Sequence, residues 1–229
     1  MEVIKDILRY KYKTRHQLMN EGNIIQAPVV AISRHRLMTD GAGVTTLVVL
    51  HSCPLRCRWC LNPQTWRKGS TFHTMTPMQL LTHVRVDDLY FQATGGGVTF
   101  GGGEPALRSI FINEFRKVTP KQWKINIETS LNVSQEHVER LVPIIDEFII
   151  DIKDINPLLY ETYTGADNVK VIENLKLIAS AGKADRCLIR IPLIPEFNTD
   201  EDRERSITEL KQMGFTRFDK FEYKTDINK

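Results

Sequence analysis

Short apolar runs alternate with amphipathic stretches along this chain, and that alternation restricts the fold more than any other feature. The strand-like runs are Val44–Leu50, Val98–Gly101, Lys124–Glu128, Glu147–Ile152, Cys187–Leu193 and Arg217–Tyr223. Between them come Pro77–Leu89, Ala106–Val118, Ser134–Val142, Val169–Ala181 and Asp200–Met213, which read as helices. Thr76-Pro77 supplies an N-cap followed by proline at the first helical position, and Ser134 is placed to start another helix. Gly182 and Gly214 sit where helices should stop. Runs such as Phe148-Ile149-Ile150 do not alternate, so the strands are expected to be buried on both faces, as in a parallel sheet. Six βα units are too few to close an eight-stranded barrel. The expected fold is therefore α/β: a partial (β/α)6 TIM-like barrel of parallel strands, whose working residues gather at the strand C-termini.

The barrel domain is expected to span residues 27–229. Residues 1–26, rich in Lys and Arg with Ile4, Ile7 and Leu8 between them, read as an N-terminal extension forming a short outer helix. A chain of 229 residues can bury one sizeable core. Its net charge of +3 gives no case for nucleic acid as a partner. No run approaches the length of a membrane span and the N-terminus has no apolar signal core, so a cytoplasmic enzyme is expected.

Three of the four cysteines lie in Cys53-Pro-Leu-Arg-Cys57-Arg-Trp-Cys60. That spacing is too tight for a secreted disulfide framework and points to metal in a reducing compartment. Three thiolates on one loop can hold an iron–sulfur cluster by three of its irons, leaving the fourth open for chemistry. A zinc site using these cysteines and His51 or His73 is the competing reading, although zinc ligands usually come as two separated pairs. Trp59 could shield the metal or offer a flat surface to a nucleoside base. Cys187, on an apolar run, reads as an inert core thiol. His83 and His137 fall on helices and read as ordinary surface residues.

A second motif, Gly95-Gly-Gly-Val-Thr-Phe-Gly-Gly-Gly-Glu104-Pro105, runs from a strand into a glycine turn and an acid. Glycines let backbone approach a ligand closely, and Glu104 could meet an ammonium group.

Together these segments resemble the radical S-adenosylmethionine (SAM) superfamily, and within it the activating enzymes of glycyl-radical enzymes, of the pyruvate formate-lyase activase kind. The resemblance extends to Asp40-Gly-Ala-Gly43, Cys60-Leu-Asn-Pro63, Asp151-Ile-Lys153, Thr164-Gly165, Asn174-Leu175 and Ile189-Arg190-Ile-Pro-Leu-Ile-Pro195. It implies one 4Fe-4S cluster on Cys53, Cys57 and Cys60, with SAM chelating the open iron. It also implies reductive cleavage of SAM to a 5′-deoxyadenosyl radical that takes a glycine hydrogen from a partner glycyl-radical enzyme. Trp59, Gly102, Gly103 and Glu104 are the expected SAM neighbours, with Glu104 and the glycine backbone on the ammonium. Lys153 and Arg190 are the expected catalytic cations, facing the SAM carboxylate or polar groups nearby. A buried salt bridge from Arg190 to Asp151 or Glu128 is equally open. Glu128, Thr129 and Asp151 match positions that hold a monovalent cation beside SAM. A flavodoxin- or ferredoxin-like reductant, oxygen sensitivity and a monomeric state complete the implied picture.

The chain departs from the family pattern at several points. Ser52 stands where glycine is usual, Glu128 replaces an aspartate and Ser130 an asparagine. Tyr223-Lys224 is the nearest match to a Pro-Tyr-His segment, so a smaller or partner-supplied cover over the barrel mouth is expected. Thr65–Thr76 contains no cysteine, which implies a single cluster. Two other functions stay in competition: a radical SAM enzyme acting on a small molecule, nucleoside precursor or peptide, and a non-catalytic metal-binding scaffold.

Overall fold

The computed structural model describes residues 24–223. The 1–26 extension falls almost wholly outside the described residues, and so does Lys224.

Eight strands form one open sheet. Strand β1 (Ala27–Leu37) runs antiparallel to β2 (Val44–Leu50), and β3 (His73–Met75) pairs with the outer edge of β1. From β2 onward, β4 (Gly97–Gly102), β5 (Lys124–Thr129), β6 (Glu147–Asp151), β7 (Cys187–Leu193) and β8 (Phe218–Glu222) follow in chain order, all parallel. β3 and β8 form the two free edges, so the barrel is unclosed. The six parallel strands lie where the alternation of apolar runs places them. β1 and β3, outside the expected strands, add an antiparallel flank to the six-strand core.

The helices are α1 (Pro77–Val84), α2 (Asp88–Thr94), α3 (Ser109–Val118), α4 (Gln135–Leu141), α5 (Pro157–Thr164), α6 (Val169–Ser180) and α7 (Asp200–Gln212). A reciprocal capping box between Thr76 and Gln79 starts α1, and one between Thr199 and Asp202 starts α7. The expected Pro77–Leu89 helix is broken by a tight turn at Arg85–Asp87. There the buried Asp87 carboxylate accepts from Thr46 Oγ1 at 2.7 Å, tying the turn to β2. Helix α5 was not expected from the sequence. Asn156 caps it by accepting from Leu158 N and Leu159 N, and Pro157 fills its first position.

The core lies between sheet and helices. Phe100 on β4 meets Phe115 edge to face at 5.4 Å and Phe111 at 6.4 Å, and Phe91 meets Trp123 at 4.9 Å. Leu50, Val98, Ile127, Ile150 and Ile189 are fully buried around them. Aligned parallel pairing brings the C-terminal ends of β4, β5 and β6 to one rim, where Gly102, Thr129 and Asp151 stand, and Arg190, in the middle of β7, is level with Asp151.

Candidate active site at the thiol-lined cavity

The cysteine loop leaves the end of β2 and is tied down on three sides. Gly103 N donates to Leu50 O at 3.1 Å and Glu104 N to Ser52 O at 2.7 Å, fastening it to the end of β4. Ser52 N donates to Thr65 O at 2.7 Å. Arg56 N and Arg58 N donate to Thr164 O and Tyr163 O at 2.8 and 3.1 Å, docking the far side on α5. Gly103 must be glycine, because a Cβ there would lie 2.2 Å from Ser52 O. Ser52 adopts φ +90°, a region that favours glycine, and its hydroxyl is held near His51 Nδ1 (3.2 Å) and Arg108 Nη2 (3.3 Å).

Cys53, Cys57 and Cys60 are free, half-buried thiols lining a cavity of about 190 Å³. Gly102, Gly103, Glu128, Thr129, Asp151, Lys153 and Arg190 share its wall. Ten of the twelve sequence-predicted site residues are thus brought together from one loop, three strand ends and the middle of β7. Asp151, Arg190, Leu61 and Tyr223 also line an adjoining open cavity of about 600 Å³, which runs past Met38, Gly41 and Arg217. That larger space lies beside the thiols and carries none of them.

Burial pushes the Cys53 thiol up to about 12 and the Cys57 thiol up to about 11; the Lys153 ammonium opposes the shift at Cys57. Both therefore carry protons near neutrality until a bound cationic centre displaces them. Among the described residues, no three His, Cys, Asp or Glu side chains converge on a point that would hold a single metal ion. Three thiols spread around one cavity suit a multi-iron cube better than tetrahedral zinc. Trp66 Nε1 also donates to Cys60 Sγ at 3.4 Å, a contact of the type that tunes cluster sulfurs.

Lys153 is almost wholly buried and donates to Asp151 Oδ2 at 2.5 Å and Tyr223 OH at 3.0 Å. Burial alone would lower the ammonium, but Asp151 and the neighbouring tyrosines outweigh it and hold Lys153 well above its ordinary value. Asp151 Oδ1 is buried and has no partner among the described residues. An orphaned carboxylate oxygen on the cavity wall fits a ligand donor or cation.

Arg190 is not a free cation. Nη1 donates to Glu128 Oε1 at 2.7 Å, Nη2 to Thr39 O, and Nε lies 3.7 Å from Asp219 Oδ2. Of the two acids open to it from the sequence, the structure selects Glu128. Burial raises the Glu128 carboxyl and Arg190 pulls it down, while Asp40 and Asp151 add to the rise.

Two expected SAM neighbours, Glu104 and Trp59, do not line this cavity. Glu104 is 1% exposed and absent from the cavity wall. Its Oε1 accepts from Ala106 N (3.1 Å) and Thr129 Oγ1 (2.6 Å), and its Oε2 from Ser130 N (2.9 Å) and Ser130 Oγ (2.6 Å). Burial pushes this carboxyl up and the four donors pull it back. Glu104 thus clasps β4 to β5, and the residues facing the cavity are Gly102 and Gly103. Trp59 packs behind the thiols with Tyr163, Ile194 and Tyr223. Ser130 and Tyr223, which also line the cavity, stand out in the sequence only as departures from the family pattern and not as site residues. Ser130 follows Thr129 directly and could have been found as part of the same strand end. Tyr223 carries only the weak match of Tyr223-Lys224 to a Pro-Tyr-His segment.

The chain belongs to the radical SAM superfamily, whose sequence pattern matches residues 47–210. Among curated proteins, the (2S)-3-sulfopropanediol dehydratase activating enzyme of Klebsiella oxytoca is 26% identical over 222 residues, covering 70% of this chain and 69% of that one. The isethionate sulfite-lyase activating enzyme of Oleidesulfovibrio alaskensis is 26% identical over 232 residues, covering 75% of each. The pyruvate formate-lyase-activating enzyme of Staphylococcus aureus is 28% identical over 170 residues, covering 71% and 67%. Among solved structures, Streptococcus suis SuiB bound to S-adenosylmethionine matches with a TM-score of 0.60 at 17% identity. It covers 77% of this chain and 39% of that one, so the chain spans about two fifths of that protein. At that identity the likeness speaks for the fold. No helix among the described residues is long and apolar enough to cross a membrane.

Proposed function

We propose that this chain is an activase that takes a hydrogen atom from a glycine of a partner glycyl-radical enzyme. One observation carries the reading: three thiols, a glycine strand end, a buried lysine and an orphaned carboxylate oxygen line one small cavity that adjoins a larger one. The likeness to three kinds of activating enzyme supports the choice of substrate class.

Cys53, Cys57 and Cys60 would hold a 4Fe-4S cluster, and the backbone of Gly102 and Gly103 would border SAM. When bound, the pair supplies reductive cleavage of the sulfonium to methionine and a 5′-deoxyadenosyl radical. The chain's own part is positioning and exclusion. Lys153, fixed by Asp151 and Tyr223, presents a permanent positive charge to the cavity. Asp151 Oδ1 accepts a ligand hydroxyl or, with Glu128, a monovalent cation. The Thr129 hydroxyl donates to Glu104 and accepts from Leu131 N, which leaves it one lone pair for that cation. Arg190 cross-links β7 to β5 and to the Thr39 turn, holding the wall between the two cavities. The 600 Å³ cavity has the size and openness for a peptide loop carrying the glycine. A reducing cytoplasm, a monomeric state and an oxygen-sensitive protein fit this reading.

The test is anaerobic reconstitution, then addition of SAM, dithionite and a co-encoded glycyl-radical enzyme, with electron paramagnetic resonance as the readout. A glycyl radical on the partner is the expected result. Formation of 5′-deoxyadenosine without any partner radical would move the assignment to a small-molecule or peptide substrate.

A further inference from the structure

We propose that the outer face of the cysteine loop is the docking surface for an acidic one-electron carrier protein. The inference rests on the radical SAM reading, which requires an electron from outside the chain. Between His51 and Met75 the sequence holds Arg56, Arg58, Arg67 and Lys68 and neither Asp nor Glu. All four cations are exposed. None of them pairs with a carboxylate among the described residues. Some surface cations elsewhere are neutralised locally, as Lys124 is by Asp146 and Lys220 by Glu204, while others such as Lys121 and Lys170 stand alone among the described residues.

Unpaired surface cations are common, so charge alone would not carry the inference. The second observation is what these cations surround. Trp66 donates its indole N–H to Cys60 Sγ at 3.4 Å, so this ring touches a sulfur expected to ligate the cluster. The Arg56 guanidinium lies 4.7 Å from the Trp66 ring centroid and that of Arg67 lies 6.0 Å away. Arg56 is fixed further by donating to Cys53 O and Leu55 O at 2.8 and 2.7 Å. The result is a braced, basic rim around an aromatic contact to a thiol. Neither the rim nor Trp66 lines either cavity. A protein docked here would leave the substrate path clear.

A concentrated positive face beside a buried redox centre suits a carrier with acidic residues around its own centre, because opposite potentials steer encounter without demanding a large, tight interface. One electron leaves the reduced carrier and one enters the chain, and no bond forms or breaks on this face. A basic face can also attract nucleic acid, and the experiment separates the two.

The test uses full-length reconstituted protein, purified acidic flavodoxin and the double variant Arg67→Glu/Lys68→Glu. Association with flavodoxin should slow by about tenfold or more at low salt, and the difference should shrink as salt screens the charges. SAM cleavage driven by reduced flavodoxin should fall in parallel, while cleavage driven by dithionite should match the wild type. Equal rates of association for both proteins would overturn the proposal, as would an equal fall with both reductants. So would a charge-dependent binding of single-stranded nucleic acid stronger than that of flavodoxin. If wild-type protein cleaves no SAM even with dithionite, the underlying radical SAM reading fails first.

Discussion

Replacing Glu104 by glutamine separates two roles for this residue, a ligand for SAM and a clasp between strands. Glutamine keeps the shape and exchanges one acceptor oxygen for an NH2 donor. In either amide orientation that donor faces a backbone N–H, of Ala106 or of Ser130, which cannot turn away. The hydroxyls of Thr129 and Ser130 can rotate and accept, so the loss concentrates on one backbone bond. A hydrogen bond to a charged acceptor contributes about 1.5–3 kcal/mol, and a buried donor left unmatched costs about 1–3 kcal/mol. Removing a buried negative charge offsets part of this. The net expectation is a destabilisation of about 3 kcal/mol. For a chain of this size that lowers the thermal midpoint by about 6–12 °C. The assay is thermal unfolding of the metal-free protein, where SAM has no influence. A midpoint within about 1 °C of wild type, together with weakened SAM binding after reconstitution, would refute the clasp and restore the ligand role.

Two further outcomes follow from the geometry. Gly103→Ala puts a Cβ within 2.2 Å of Ser52 O and 3.0 Å of Leu50 O, both backbone atoms, so the cysteine loop must part from β4; iron content after reconstitution should fall several-fold, and full iron loading would contradict the close approach. His137 lies 2.9 Å from Ser109 Oγ, and burial, with Arg140 and Arg108 nearby, lowers its pKa. A depressed folded pKa contributes stability that is complete above the unfolded value of about 6.5 and lost as pH falls through the lower folded value. Urea midpoints of the wild type should therefore drop more steeply on acidification below about 6.5 than those of His137→Asn; parallel curves would contradict this.

The parallel core was legible because strands such as β6, buried on both faces, cannot be written without continuous apolar runs like Phe148-Ile149-Ile150. β1 was not, because one of its faces meets solvent and its second half reads Ser33-Arg34-His35-Arg36. β3 is three residues long and mostly exposed, too little to leave a pattern. At the site, residues adjacent in sequence were found: the cysteine triplet and Gly102-Gly103. The partnership set by strand register at Glu104 was not: it meets Thr129 and Ser130 only because β4 and β5 end together. For Arg190 the sequence left Asp151 and Glu128 both open, and the register decided for Glu128, 62 positions away. Side-chain type announced a charged site there, but only the fold decides which charges are spent on one another and which face the cavity.

The central claim is that three thiolates leave one cluster iron open to SAM. Its most direct test is the electron paramagnetic resonance spectrum of the reduced, anaerobically reconstituted protein, recorded before and after SAM is added. The account predicts a 4Fe-4S signal whose g-values shift on addition of SAM. An iron-free protein, or a cluster signal that SAM leaves unchanged, would contradict it.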